Sequence, residues 1–325
     1  MRLEGVITAL ITPFRGGEVD YDALADLVKF QVEQGVHGLV ACGTTGEGAT
    51  LTEQEWAEVL RTVVRVAGGK VPVLAGTGTN STPTTVRRTR AAKDLGADAA
   101  LVVTPYYNRP QQEGLFAHFK RVAEEGGLPV VLYNVPSRTG VNLAPETTLR
   151  LAQVAGIVGV KEASGSVAAC REVISGAKEG FVLLSGDDGL WLPLLAIGAR
   201  GVVSVASNLA PREMVLLFEA FLRGDVAQAA AIDRKLGPLY QALFVETNPV
   251  PVKVGAALLG LCTDEVRPPL AQATQRTREA VEQALRLAGV LGRRLPPHEG
   301  DQGHAAGDRE QRDVRDRDGG RRDPD

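Results

Sequence analysis

Short apolar runs rich in β-branched residues recur along this chain, and stretches with the 3.6-residue period of amphipathic helices lie between them. The runs are Val6 to Leu10, Gly38 to Ala41, Val71 to Ala75, Ala99 to Val103, Val130 to Tyr133, Ile157 to Lys161, Phe181 to Leu184 and Gly201 to Val205. Apolar residues at successive positions, not alternate ones, describe strands buried on both faces. The helical stretches include Tyr21 to Gln34, Thr52 to Ala67, Thr82 to Leu95, Gln111 to Glu125, Pro145 to Gln153 and Pro211 to Arg223. Several open on helix-start chemistry: Asp20, Thr52 with Glu55 as a capping box, Ser81, and Pro145 and Pro211 near first helical positions. Parallel strands need crossover helices, so eight successive β-α units predict closure into a (β/α)8 TIM barrel. The alternative is an open doubly wound sheet. Against it, "GTGTN" at Gly76 to Asn80 follows the third run instead of the first. It also lacks the third glycine of a dinucleotide fingerprint.

After Arg223 the strand signal stops, and helical sequence continues through Ala227 to Leu236, Val250 to Leu261 and Leu270 to Leu291. The expected organisation is a catalytic barrel over residues 1–224, a small helical appendage over 225–295 and a charged tail over 296–325. The tail, "PPHEGDQGHAAGDREQRDVRDRDGGRRDPD", is almost without apolar residues and cannot offset the entropy of ordering. It is expected to be disordered.

Charge and composition exclude several partners. A formal net charge of −3, with both signs interspersed, leaves no electrostatic footprint for nucleic acid or an anionic membrane surface. No apolar span of 18 residues and no signal-type apolar segment occurs, which predicts a cytoplasmic address. Cys42, Cys170 and Cys262 have neither disulfide-framework nor zinc-site spacing, and the four histidines are equally scattered, so no metal is expected.

In a barrel of this kind the active site lies at the C-terminal ends of the strands. Here those ends carry the polar residues: "GTTGE" at Gly43 to Glu47, "TPYYN" at Thr104 to Asn108, "YNVPSRTG" at Tyr133 to Gly140, "KEASG" at Lys161 to Gly165, "GDD" at Gly186 to Asp188 and "SVASN" at Ser204 to Asn208. Desolvation disfavours an ammonium, so a lysine ending an inward-facing strand keeps more free amine to attack a carbonyl. Lys161 is therefore a candidate Schiff-base lysine; the bland alternative is a snorkelling side chain paired with Glu162 or Asp187. "GTTGE" can cradle a small carboxylate with its amides and hydroxyls, or be a simple turn with a helix cap. Tyr133 and Tyr107 can move protons or merely pack, and Arg138 can hold a second carboxylate bidentately or make a structural salt bridge. No glycine-rich phosphate loop follows the last two strands, which argues against a phosphosugar.

Taken in order, "GTTGE", "YYN", "YNVPSRTG", "KEASG" and "ETNPVPVK" (Glu246 to Lys253) resemble the pyruvate-dependent class I aldolase family typified by dihydrodipicolinate synthases. The resemblance covers about residues 3 to 293. It implies a barrel with a C-terminal helical domain, assembled as a homotetramer of two tight dimers, that condenses pyruvate with L-aspartate 4-semialdehyde in the diaminopimelate route to lysine. Lys161 would form the Schiff base, and Thr44, Tyr133 and Tyr107 would relay protons, Tyr107 across the tight dimer interface. Thr45 would help bind the pyruvate carboxylate, Val203 would present its carbonyl near the reacting centre, and Arg138 would receive the carboxylate of the semialdehyde. The imine nitrogen is the electron sink, so no cofactor is implied. Relatives sharing the lysine leave another 2-oxo-acid aldolase as the alternative, acting on a keto-deoxy sugar acid or a hydroxy-oxoglutarate; a non-catalytic pyruvate-binding barrel is a second. In lysine-sensitive relatives an effector pocket at the tight interface matches Ala49, Asn80 and Tyr106. Glu53 and Trp56 replace histidines there and Thr84 replaces an acid, which predicts weak lysine inhibition, with Glu53 able to restore part of the lost charge.

Overall fold

The computed structural model describes residues 2–291; the expected tail over 296–325 lies outside the described residues. Eight parallel strands close into a barrel in sequence order: β1 (Gly5–Ala9), β2 (Gly38–Ala41), β3 (Val73–Gly76), β4 (Ala99–Val103), β5 (Val130–Asn134), β6 (Ile157–Glu162), β7 (Val182–Ser185) and β8 (Gly201–Ser204). β1 pairs with β8 from Gly5↔Gly201 to Thr8↔Ser204, which joins the two ends of the sheet. Closure removes both edges, so every strand finds hydrogen-bond partners on either side.

Helices α1 (Tyr21–Glu33), α2 (Glu53–Ala67), α3 (Thr82–Asp94), α4 (Gln112–Gly126), α5 (Pro145–Ala152), α6 (Val167–Gly176), α7 (Trp191–Ala196) and α8 (Pro211–Leu222) surround the barrel. Asp20 caps α1 by accepting the Ala23 N–H, and Thr52 with Glu55 forms the expected capping box on α2. Pro145 and Pro211 sit in the first turns of α5 and α8, where a missing N–H costs nothing. Ser81 departs from expectation: it occupies the start of α3 but makes no side-chain cap. The hydroxyls of Thr79 and Thr85 instead donate to the Ser81 carbonyl, at 3.0 Å each, and so knit the loop to the first turn.

Inside the barrel, Ile7, Val40, Leu74, Leu101, Val131, Leu184 and Val203 form one apolar cluster that continues upward into Tyr133. Outside it, Trp191 at the start of α7 stacks on Phe218 of α8 with ring centroids 5.9 Å apart, joining the two helices.

Three further helices follow: α9 (Val226–Ala242), α10 (Val250–Leu258) and α11 (Gln275–Ala288). α9 runs past the expected end at Leu236 and crosses Pro238. Proline interrupts the internal ladder, but Leu239, Tyr240 and Leu243 beyond it are all buried, and their burial outweighs one lost hydrogen bond. α11 starts at Gln275, not Leu270, because Thr274 caps it and Glu246 locks that cap, accepting from the Thr274 and Thr277 hydroxyls.

α4 also buries a histidine. His118 is 4% exposed; its Nδ1 lies 2.9 Å from the Thr82 hydroxyl, and its Nε2 has no partner among the described residues. Burial pulls its pKa down from 6.5 to about 4. The unfolded chain therefore binds a proton near pH 6.5 that the folded chain refuses until about pH 4, so the contribution is complete above pH 6.5 and is lost as pH falls toward 4. Between pH 7 and pH 5 the wild type should lose about 2 kcal/mol more unfolding free energy than His118→Asn, read from denaturant titrations at the two pH values. Equal losses would show that His118 does not titrate in this way.

Candidate active site

The C-terminal ends of the strands surround a cavity of about 380 Å³, whose lining includes Thr44, Tyr133, Arg138, Asn248, Ala49 and Tyr106. Lys161, the last residue but one of β6, lies beside it, in register with Tyr133 on β5. Its Nζ stands 4.0 Å from the centroid of the Tyr133 ring, and the residue is 6% exposed. The bland alternative fails for both carboxylates: Glu162 accepts from Asn134 Nδ2 and the Ser164 N–H, and Asp187 accepts the Gly189 N–H. Among the described residues no carboxylate forms an ion pair with Lys161, so its amine is held against an aromatic face without a countercharge.

Gly186, the first residue after β7, makes this position possible. Its N–H donates to the Glu162 carbonyl at 2.7 Å, and a Cβ there would come within 3.2 Å of Lys161 Cε and 2.6 Å of Ala163 Cβ. Any larger residue would push the lysine or its strand.

The "GTTGE" loop is built by close backbone approach. Cys42 has φ 56, and its carbonyl sits where a Cβ on Gly48 or Gly76 would meet it at 2.2 or 2.3 Å. Only glycine admits that packing. Across the described residues the non-glycine positions with positive φ are Cys42, Glu47, Tyr107 and Arg109, all in the two loops after β2 and β4 at this end of the barrel. Such strain persists where surrounding structure over-determines it, and it gathers at functional sites.

The segment Glu246 to Lys253 reaches across the mouth. Asn248 Nδ2 donates to Thr45 Oγ1 at 3.0 Å, and Arg138 Nη2 donates to the Asn248 carbonyl at 3.2 Å. Asn248 therefore ties together two positions read from sequence as carboxylate binders. Its own role was not visible in the motif, because an asparagine before a proline reads first as a turn residue.

The expected site residues separate into groups. Thr44, Tyr133 and Arg138 line the cavity, as do Ala49 and Tyr106 from the suggested effector pocket. Lys161, Thr45 and Val203 are buried beside it, at 6%, 3% and 1% exposure. Asn80 contributes its carbonyl to Asn108 Nδ2. Tyr107 stands apart: it is 88% exposed and is not one of the residues lining this chain's cavity, with its backbone N–H anchored on the Thr139 carbonyl. Glu53, suggested as a substitute charge near the effector pocket, is instead held by Arg88, whose Nε and Nη2 donate to it at 3.1 and 2.6 Å.

Among the described residues no group of three or more His, Cys, Asp or Glu side chains is arranged to hold a metal ion, and no helix is long and apolar enough to cross a membrane.

The model of the dihydrodipicolinate synthetase family matches residues 2–288 of this chain. The chain belongs to this family. A 4-hydroxy-tetrahydrodipicolinate synthase of Thermomicrobium roseum is 51% identical to it over 87% of this chain and 94% of the relative. The enzyme of the same name from Syntrophus aciditrophicus is 49% identical, covering 89% of this chain and 99% of the relative. The crystal structure of the dihydrodipicolinate synthase from Thermotoga maritima superposes with a TM-score of 0.87 at 43% identity, over 89% of this chain and 99% of that one. Membership covers both the barrel and the three helices after it, so the family includes the segment that ties Thr45 to Arg138.

Proposed function

We propose that this chain is a 4-hydroxy-tetrahydrodipicolinate synthase, condensing pyruvate with L-aspartate 4-semialdehyde through a Schiff base on Lys161. The observation that carries the reading is the contrast between two buried lysines. Lys253 is paired with Glu47, whereas Lys161 meets the Tyr133 ring and, among the described residues, no carboxylate. A primary amine beside a cavity with no carboxylate to hold it is free to reach the carbonyl carbon of a bound ketone.

In this mechanism Lys161 adds to the pyruvate carbonyl carbon, and the carbinolamine loses water to give the imine. Tyr133, in register with the lysine, passes protons to and from the departing oxygen, and Thr44 and Tyr107 extend the relay. Loss of a methyl proton gives the enamine, which attacks the aldehyde carbon of the second substrate. That substrate's own amine then adds to the imine carbon, closes the ring and releases Lys161. Thr45 and the turn amides take the pyruvate carboxylate, Val203 supplies a carbonyl beside the reacting carbon, and the Arg138 fork takes the semialdehyde carboxylate. The outward position of Tyr107 supports its service to a neighbouring subunit's site in a tight dimer, two of which form a tetramer. A cytoplasmic address suits such a biosynthetic enzyme.

Borohydride added with pyruvate should leave one reduced adduct on the intact protein, mapped to Lys161 and absent from Lys161→Ala. An adduct on Lys253 would overturn the assignment. Arg138→Ala should still trap pyruvate but lose about 2 kcal/mol of transition-state stabilisation, roughly thirtyfold in kcat/KM for the semialdehyde. Full activity in that variant would remove the basis for this second substrate. L-Lysine should inhibit weakly, because Glu53 is engaged by Arg88 and that guanidinium adds a like charge beside the cavity. Initial rates at saturating pyruvate check this, and strong inhibition below about 1 mM would contradict it.

A further inference from the structure

Glu47 and Lys253 form a buried ion pair that the chemistry at Lys161 does not use. Lys253 Nζ lies 2.5 Å from Glu47 Oε1, with side-chain exposures of 0% and 2%. The ammonium also donates to the Glu265 carbonyl at 2.7 Å and sits 4.0 Å from the Phe14 ring centroid. Glu47 Oε2 accepts the Arg267 N–H at 3.0 Å. Removing two such charges from water is costly, and replacing a buried pair by well-packed neutral side chains is often neutral or stabilising. Stability alone is therefore a poor reason for the pair to be here.

Its position suggests another reason. The Glu47 N–H donates to the Thr44 carbonyl and the Gly48 N–H to the Gly43 carbonyl, each at 3.1 Å, so Glu47 closes the turn that carries Thr44 and Thr45. It does so with φ 51, a left-handed conformation that a glutamate holds only under constraint. The turn is thus gripped at two points from one segment: Asn248 holds the Thr45 hydroxyl, and Lys253 holds the Glu47 carboxylate.

We propose that Glu47 and Lys253 are positioning residues whose ion pair sets the Thr44–Thr45 turn at the height where its hydroxyls and amides meet the carboxylate of a small 2-oxo acid bound at Lys161. The role rests on the reading of Lys161 as the Schiff-base lysine. Contacts made equally to bound substrate and transition state appear in KM more than in kcat. A turn displaced by a fraction of an ångström loses them in part, and an effect of about tenfold is in the range that such misplacement produces.

Glu47→Gln/Lys253→Met removes both charges with near-isosteric side chains, so no buried charge is left without its counterion. Glu47→Asp keeps both charges and shortens the tether by one methylene. Both should raise KM for pyruvate about tenfold and lower kcat by a smaller factor, because Thr44 of the same turn belongs to the proton relay, and both should still give the borohydride-reduced adduct at high pyruvate. The denaturation midpoint of the double variant should recover relative to Glu47→Gln alone while its KM stays high. A double variant in which KM returns to the wild-type value together with the midpoint overturns the proposal and leaves the pair a stability element. If the double variant fails to fold, a wild-type KM in Glu47→Asp overturns the proposal equally, and a raised KM with an unchanged midpoint supports it. Wild-type protein that forms no pyruvate adduct overturns the functional reading itself, which separates the two failures.

Discussion

Closure of the eight-stranded parallel sheet is the constraint on which everything else depends. With β1 hydrogen-bonded to β8, no strand edge remains, and both faces of every strand are covered by the interior cluster or the helix ring. Charged groups are therefore excluded from the strand centres and collect where strands end. Lys161 is the last residue but one of its strand, and Tyr133 has the same place in the neighbouring strand. Their 4.0 Å contact follows from register, because parallel neighbours in a closed barrel cannot slip without breaking the ladder around the ring.

Register alone does not build the site. The interior is apolar up to Tyr133, so the polar groups at the cavity come from strand ends and loops, and the loops after β2 and β4 hold four residues in left-handed conformations. That strain is held down by contacts from distant parts of the chain. Arg267 shows how: it makes a two-pronged pair with Glu55, which pulls that carboxyl down to about 2, and its backbone N–H holds Glu47. The α2 cap, the loop after β2 and the stretch after α10 are thereby joined, so the chain beyond the barrel holds the loops at the cavity mouth in place.

Much of the fold was legible in the chain because continuous apolar runs and helical periods are local signals. Every expected strand is present with ends displaced by two residues or fewer, and the capping residues Asp20 and Thr52 act as their types predict. One misreading falls where tertiary burial overrode a local rule. Pro238 does not end α9, because apolar residues beyond it are buried; Ser81 sits at the start of α3 without a side-chain cap, and nothing in the structure explains that departure.

The sequence by itself determined the barrel and singled out Lys161 as the candidate nucleophile, since each depends on residue types at fixed spacing along one strand or one loop. Tertiary structure alone decided which buried lysine is neutralised. Lys161 and Lys253 both sit in apolar sequence, and only the folded chain brings Glu47, more than two hundred positions before Lys253, to within 2.5 Å of its ammonium. It likewise decided that Asn248 joins Thr45 to Arg138 and that Glu53 belongs to Arg88. Those pairings depend on how loops from opposite ends of the chain meet over the barrel mouth, and no local periodicity encodes such meetings.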